Sequence, residues 1–145
     1  MPLRSVLDTN VFVSGLLYGG PPGELLDVYV PQGLLTICTS TLLMNEVYRV
    51  LDDPKFSFRI LEMGLDVRSS LATIYAGADV YAEIPPVSVI KEDPSDNAVL
   101  GTALAARADA ITSGDKKHVL PLKRFQGIPI LTAQETLRKL QKGDN

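Results

Sequence analysis

Short apolar runs alternate with amphipathic segments along this chain, and the alternation constrains the fold more than any other feature of the sequence. Five runs have the length and composition of strands: 4–7, 34–38, 79–84, 110–112 and 129–131. Helices are predicted over about 24–30, 40–51, 58–75, 94–107 and 133–140. Because parallel neighbours need helical crossovers, the pattern predicts an α/β fold with three α/β/α layers and a mostly parallel sheet of about five strands.

The size and composition of the chain predict one domain over residues 1–145. Of these residues, 46% are hydrophobic, which suffices for one continuous core. The only cysteine, Cys38, lies in an apolar run and is expected to be a buried thiol. The first residues lack the apolar stretch of a signal peptide, and no run approaches the ~18 apolar residues of a membrane span. We therefore expect a cytoplasmic protein without a membrane partner.

The acidic balance of the chain makes the placement of its carboxylates the main question. A net charge of −3 argues against a nucleic-acid partner unless bound divalent cations supply positive charge. Asp8 and Asp115 each follow the carboxyl end of a predicted strand, where open α/β sheets bind their ligands. Two carboxylates at strand ends can share one crevice. The alternative is a pair of ordinary turn aspartates.

Glu46 is predicted to lie between Leu42 and Val50, inside the apolar stripe of its helix. An ionised carboxylate there needs a cation, a hydrogen-bond network or a raised pKa. The alternative is a salt bridge to Arg49 or Arg4. We expect Glu46 to belong to a site.

Asp93 and Asp96 are three residues apart and so share one side of the helix that they open. Helix capping is the strong alternative for both residues. Asp93 before Pro94 is typical of an N-cap, and an acid at the third helical position complements the helix dipole.

Together, the acids of these four segments predict a site for a hard cation. Mg²⁺ and Mn²⁺ favour oxygen ligands in octahedral geometry. Zinc fits less well, because one histidine and one cysteine cannot supply a site rich in nitrogen and sulfur. We expect His118, which follows two lysines, to be a surface residue.

Four fragments in this order resemble the PIN-domain family, in particular the VapC-like toxin nucleases of toxin–antitoxin pairs. They are Val6-Leu7-Asp8-Thr9-Asn10, Glu46 in its helix, Asp93-Pro94-Ser95-Asp96-Asn97, and Thr112-Ser113-Gly114-Asp115. The resemblance covers nearly the whole chain and implies a Rossmann-like fold, Mg²⁺ or Mn²⁺ dependence and cleavage of RNA. It also suggests a homodimer and a small antitoxin partner.

The resemblance assigns roles residue by residue. The catalytic cluster it implies is Asp8, Glu46, Asp96 and Asp115, all of them metal ligands, with Asp93 as a further or alternative ligand. The doubled acid at 93 and 96 departs from simpler members of the family, and the residues after Asp96 favour it over Asp93. Thr9, Asn10 and Ser113 are the implied polar supports.

The expected reaction is hydrolysis by a metal-activated water, leaving 5′-phosphate and 3′-hydroxyl ends. Candidate RNA contacts are Lys116, Lys117, Lys123 and Arg124, for which a solvated loop is the alternative. A phosphatase with an aspartyl nucleophile is disfavoured, because Asn10 stands where such enzymes carry a second aspartate. A catalytically silent, protein-binding PIN-like module stays open as an alternative.

Overall fold

The first strand of the chain, β1, lies in the middle of a mostly parallel sheet. The computed structural model describes residues 1–64, 66–90 and 93–143, and in these residues six strands form one sheet in the order β3-β2-β1-β4-β6-β5. Their bounds are β1 Leu3–Leu7, β2 Leu35–Ser40, β3 Asp79–Tyr81, β4 Ala110–Thr112, β5 Arg124–Phe125 and β6 Ile128–Leu131. All neighbouring pairs are parallel except the β5–β6 hairpin. The expected α/β fold with a mostly parallel sheet is confirmed.

Seven α-helices lie in the described residues: α1 Thr9–Leu17, α2 Gly20–Glu24, α3 Thr41–Leu51, α4 Ser57–Met63, α5 Val67–Ala76, α6 Pro94–Ala106 and α7 Ala133–Gln141. A π-helical turn, Leu25–Tyr29, continues α2. Side chains cap three helices that bear on the site: Asp8 accepts from the Thr9 N–H, Ser40 from the Leu43 N–H and Asp93 from the Ser95 N–H. Each cap satisfies a backbone donor that the first helical turn leaves unpaired.

Alternate side chains of β1 pack into the core on opposite faces of the sheet. Val6 packs with Cys38, Ile111 and the buried residues of α6 on one face. Leu7 packs with α1, α3 and α5 on the other, where Leu3 also contacts the α7 side. Successive side chains of a strand point to opposite faces, so a chain with a buried β1 needs helices on both.

The structure corrects three predicted elements. The helix expected over 58–75 is two helices, because Gly64 ends α4 in the left-handed region with φ of +63°. The strand expected over 79–84 ends at Tyr81. The helix expected from about residue 24 begins at Gly20, where two prolines fit the first turn.

Two further elements, α1 and β5, were not predicted from the sequence. The buried thiol was predicted correctly: Cys38 is fully enclosed, and burial raises its pKa to about 11, which keeps it neutral at neutral pH. Within the described residues, no helix has both the length and the apolar character to cross a membrane.

Candidate metal and active site

Asp8 and Ser113 meet because β1 and β4 are adjacent and end in register. Leu7 pairs with Thr112, so the next residue of each strand stands at the same edge of the sheet. Asp8 is 5% exposed, and its carboxylate accepts from Ser113 Oγ at 2.7 Å and from the Thr9 N–H at 2.7 Å. Burial raises the pKa of Asp8, and these two hydrogen bonds oppose that effect. Asp8 is thus oriented by fixed donors at the strand ends.

Asp115 lies in the turn after β4, and its own backbone and side chain fix that turn. Its N–H donates to Ser113 Oγ at 3.0 Å, so Ser113 contacts both aspartates. Its Oδ1 accepts from the Lys117 N–H at 2.9 Å and from the His118 N–H at 3.2 Å. Its Oδ2 lies 3.6 Å from His118 Nδ1. One oxygen of Asp115 therefore holds the turn, while the other faces the imidazole.

Asp96, in the first turn of α6, carries the least compensated carboxylate of the site. The residue is 8% exposed, and its buried Oδ2 has no hydrogen-bond partner among the described residues. His118 Nδ1 lies 3.2 Å away, close enough for an ion pair but without the geometry of a hydrogen bond. Burial raises the pKa of Asp96 to about 7, the charges of Asp93, Asp115 and Asp8 add to this effect, and His118 partly opposes it. This oxygen is suited to accept a cation.

Asp93 is engaged differently from Asp96. Its Oδ1 accepts from the Ser95 N–H at 3.0 Å and from Ser95 Oγ at 2.6 Å, as an N-cap does. These bonds lower the pKa of Asp93. The structure therefore gives Asp93 a capping role, in which its charge also acts on Asp96.

Glu46 is joined to the strand ends through Thr9, whose Oγ1 donates to Glu46 Oε2 at 2.8 Å. The prediction that Glu46 lies inside the apolar stripe of its helix is wrong. Leu42 is 60% exposed, and the buried stripe of α3 is Leu43, Val47 and Leu51. Glu46 stands at the edge of that stripe.

Of the two arginines considered as salt-bridge partners of Glu46, only Arg49 lies near it. Arg49 Nη2 lies 3.6 Å from Glu46 Oε1, but its side chain is largely exposed, so the pair contributes little. Arg4 pairs instead with Asp79, and it also donates to Tyr81 and to the Ala106 carbonyl.

His118 lies beside the carboxylate cluster, a position that was not predicted from the sequence. It was expected on the surface, but it is half-buried and its Nδ1 faces both Asp96 and Asp115. One ligand atom from each of these three residues falls within 4.8 Å of the others. The sequence feature that could have indicated this position is the spacing, because His118 follows Asp115 by three residues.

The remaining predicted residues lie around this centre. Asn10 is exposed in the first turn of α1 and has no side-chain hydrogen bond within the described parts of the chain. Lys116 and Lys117 are exposed in the Asp115 turn, next to the cluster. Lys123 and Arg124 are also exposed, but they lie on the β5 side, where Arg124 lines a groove against α7.

Carboxylates from the end of β1, from α3, from α6 and from the turn after β4 act on one another electrostatically. The charges of Glu46 and Asp115 raise the pKa of Asp8, and those of Asp8 and Asp115 raise the pKa of Asp96. Such mutual repulsion is relieved by protonation or by a bound cation. Asp96 and Asp115, with His118, form a group that can hold a metal ion.

Comparison with known proteins agrees with this architecture. A family model described as a PIN domain matches residues 4–117, a segment that contains every carboxylate of the cluster. A search of curated proteins found no match. PIN domains are generally nucleases, and they typically use divalent metals. Because the match covers most of its length, the chain belongs to the PIN-domain family.

Proposed function

We propose that this PIN-domain protein is a Mg²⁺- or Mn²⁺-dependent endoribonuclease, and that it acts as the toxin of a toxin–antitoxin pair. The observation that carries the proposal is the buried Oδ2 of Asp96, which has no hydrogen-bond partner in the described residues. Burial, and after it the charges of Asp93, Asp115 and Asp8, disfavour its ionised form, and His118 opposes them only in part. A cation would compensate all of these charges together. This requirement supports a resident metal.

The residues that would hold the cation are Asp8, Glu46, Asp96 and Asp115. Ser113 orients Asp8 and Thr9 orients Glu46, through hydrogen bonds of 2.7 and 2.8 Å. When bound, a divalent cation supplies Lewis-acid charge to the scissile phosphate and makes a coordinated water more acidic. We assign Asp93 to capping α6 and thereby to fixing the position of Asp96.

The RNA path is proposed to run from the carboxylate cluster toward the β5 side of the sheet. A groove of about 450 Å³ lies there, lined by the cations Arg124, Arg138, Lys139 and Lys142 and by one acid, Glu135. The carboxylate of Glu135 is engaged in capping α7 through the Thr132 N–H. Leu131 lines the groove and accepts from the Ser113 N–H at 2.9 Å, so the groove begins beside the cluster. Local basic charge of this kind binds phosphate in an otherwise acidic protein.

Replacing Arg138 and Lys142 together by glutamine is expected to weaken RNA binding about tenfold at moderate salt. Two lost phosphate contacts should also reduce the slope of log K against log salt by roughly 1.4 for single-stranded RNA. Fluorescence anisotropy with labelled RNA in EDTA measures both quantities without cleavage. The control Lys55→Gln removes a cation outside the groove and should change neither. An unchanged salt slope in the double variant would exclude the groove as the path.

The proposed antitoxin and the second copy of a homodimer need an apolar surface, and α4 offers one. Phe58 is 75% exposed and Leu61 is 79% exposed. Leu61 also lines a groove of about 430 Å³, in which Leu51, Ile60 and Val67 stand beside the polar or charged residues Asp52, Ser57, Asp66 and Arg68. Exposed apolar clusters of this kind are typical of protein contacts, which supports the proposal of a protein partner.

The nuclease proposal is tested by incubating the protein with end-labelled RNA in Mg²⁺, in Mn²⁺ and in EDTA. Cleavage is expected with either metal, is expected to stop in EDTA, and should leave 5′-phosphate ends. Asp8→Asn is the matched control for contaminating nuclease, because the amide is isosteric with the carboxylate. Equal cleavage by this variant, or cleavage that persists in EDTA, would refute the proposal. A protein that binds metal but cleaves no RNA would favour the silent, protein-binding alternative.

A further inference from the structure

The imidazole of His118 is part of the carboxylate cluster, a feature that oxygen-only metal coordination leaves unexplained. Its Nδ1 lies 3.2 Å from Asp96 Oδ2 and 3.6 Å from Asp115 Oδ2. The Asp96 oxygen is buried and has no hydrogen-bond partner among the described residues, so the imidazole does not satisfy it. Asp115 fixes the backbone of His118 by accepting its N–H at 3.2 Å. The ring is therefore held against two carboxylates without completing their hydrogen bonding.

These distances fit neighbouring positions of one coordination shell. Ligand bonds of about 2.1 Å at right angles place adjacent donor atoms about 3 Å apart. The two nitrogen–oxygen separations, 3.2 and 3.6 Å, lie somewhat above that value, and one ligand atom from each of the three residues falls within 4.8 Å of the others. A cation between them would contact two oxygens and one nitrogen.

A nitrogen donor changes which cation the site prefers. Mg²⁺ takes oxygen ligands almost exclusively, whereas imidazole is a common ligand of first-row transition ions. Building on the proposed function, we propose that His118 is a direct nitrogen ligand, and that it makes this site select Mn²⁺ over Mg²⁺. His118 is then a specificity-determining residue for the metal.

The alternative for His118 is a charged imidazolium that pairs with Asp96 and Asp115 and has no contact with metal. In that case its removal would increase the repulsion between the carboxylates and change the affinities for Mn²⁺ and Mg²⁺ by similar factors. Direct ligation instead predicts a selective loss of Mn²⁺ affinity. The ratio of the two affinities therefore separates the two roles.

The experiment measures Mn²⁺ affinity by the loss of the free-ion EPR signal, and Mg²⁺ affinity by competition, for the wild type and for His118→Gln. We expect Mn²⁺ binding to weaken at least about tenfold and Mg²⁺ binding less than about threefold. Lys117→Gln, which removes a positive charge from the same turn, is the matched control and should leave the ratio of affinities unchanged. An unchanged ratio in His118→Gln would overturn the inference.

A second measurement uses the wild-type protein and therefore tests the inference even if the variant fails to fold. Pulsed EPR of Mn²⁺ bound to the wild type should show coupling to a directly ligated nitrogen. Bound Mn²⁺ without that coupling overturns the role of His118 and leaves the nuclease proposal intact. A wild-type protein that binds neither cation overturns both the metal dependence in the proposed function and this inference.

Discussion

Asp96→Asn is expected to reduce RNA cleavage at least about a hundredfold without lowering the stability of the metal-free protein. The charge lost is the one that the site compensates least, since Asp96 Oδ2 is buried and unpartnered in the described structure. Metal ligation supplies several kcal/mol of transition-state stabilisation, and each 1.4 kcal/mol is about tenfold in rate. The amide keeps the shape of the side chain and removes an unfavourable buried charge. Cleavage rates with Mg²⁺ or Mn²⁺ measure the first effect, and thermal melts in EDTA measure the second.

Asp93→Asn is the matched control, because it removes an equal charge from the same helix start. Asparagine is as good an N-cap as aspartate, so the Ser95 N–H keeps its acceptor and the stability should change little. We expect cleavage to fall tenfold at most. If Asp93→Asn abolishes cleavage while Asp96→Asn retains it, the assignment of these two residues must be exchanged.

The sequence predicts the central elements of the fold because their signals are local. The Ser40 cap with helical spacing up to Leu51 predicts α3, and Asp93 before Pro94 predicts the start of α6. The β5–β6 hairpin has no such signal: β5 is two residues long, and its turn uses positive φ at Gln126 and Gly127. A glutamine–glycine pair is a weaker signal for a hairpin turn than asparagine–glycine.

Helix α1 was missed for a different reason. Its residues are apolar on most sides, with Val11, Phe12, Val13 and Leu17 all buried, so no amphipathic stripe marks it. The cap that starts it is Asp8. From the sequence, Asp8 is predicted to be a site residue or a turn aspartate, whereas in the structure its carboxylate also caps a helix.

The sequence predicts those residues of the candidate site that stand at strand ends and helix starts. Asp8 and Asp115 follow from the rule that parallel strands open their ligand crevice at the carboxyl edge. Asp96 follows from its place beside Asp93 at the predicted start of a helix. His118 does not, because its inward direction depends on the turn that Asp115 closes by accepting two backbone N–H groups. The division between Asp93 and Asp96 also required side-chain geometry, since both residues satisfy the same sequence pattern.

The metal-free protein is expected to lose stability as the pH rises from about 4 to about 7. In the folded protein the pKa of Asp96 is raised from 3.8 to about 7, and burial also raises the pKa of Asp8. The folded state therefore binds more protons than the unfolded state across this window, which makes the free energy of unfolding fall with pH. For Asp96 alone, the shift from 3.8 to about 7 corresponds to at most about 4 kcal/mol.

Divalent cations should reverse this trend, because they bind the ionised carboxylates. Thermal melts in EDTA should fall by about 5–10 °C between pH 4.5 and pH 7.5. Saturating Mn²⁺ at a hundred times its Kd should restore about 2.7 kcal/mol at pH 7.5 and much less at pH 4.5. In Asp96→Asn, both the fall with pH and the rescue by metal should be smaller. A wild-type melting temperature that rises steadily with pH in EDTA would show that these carboxylates are already compensated without a metal, and the main argument for a cation would be lost.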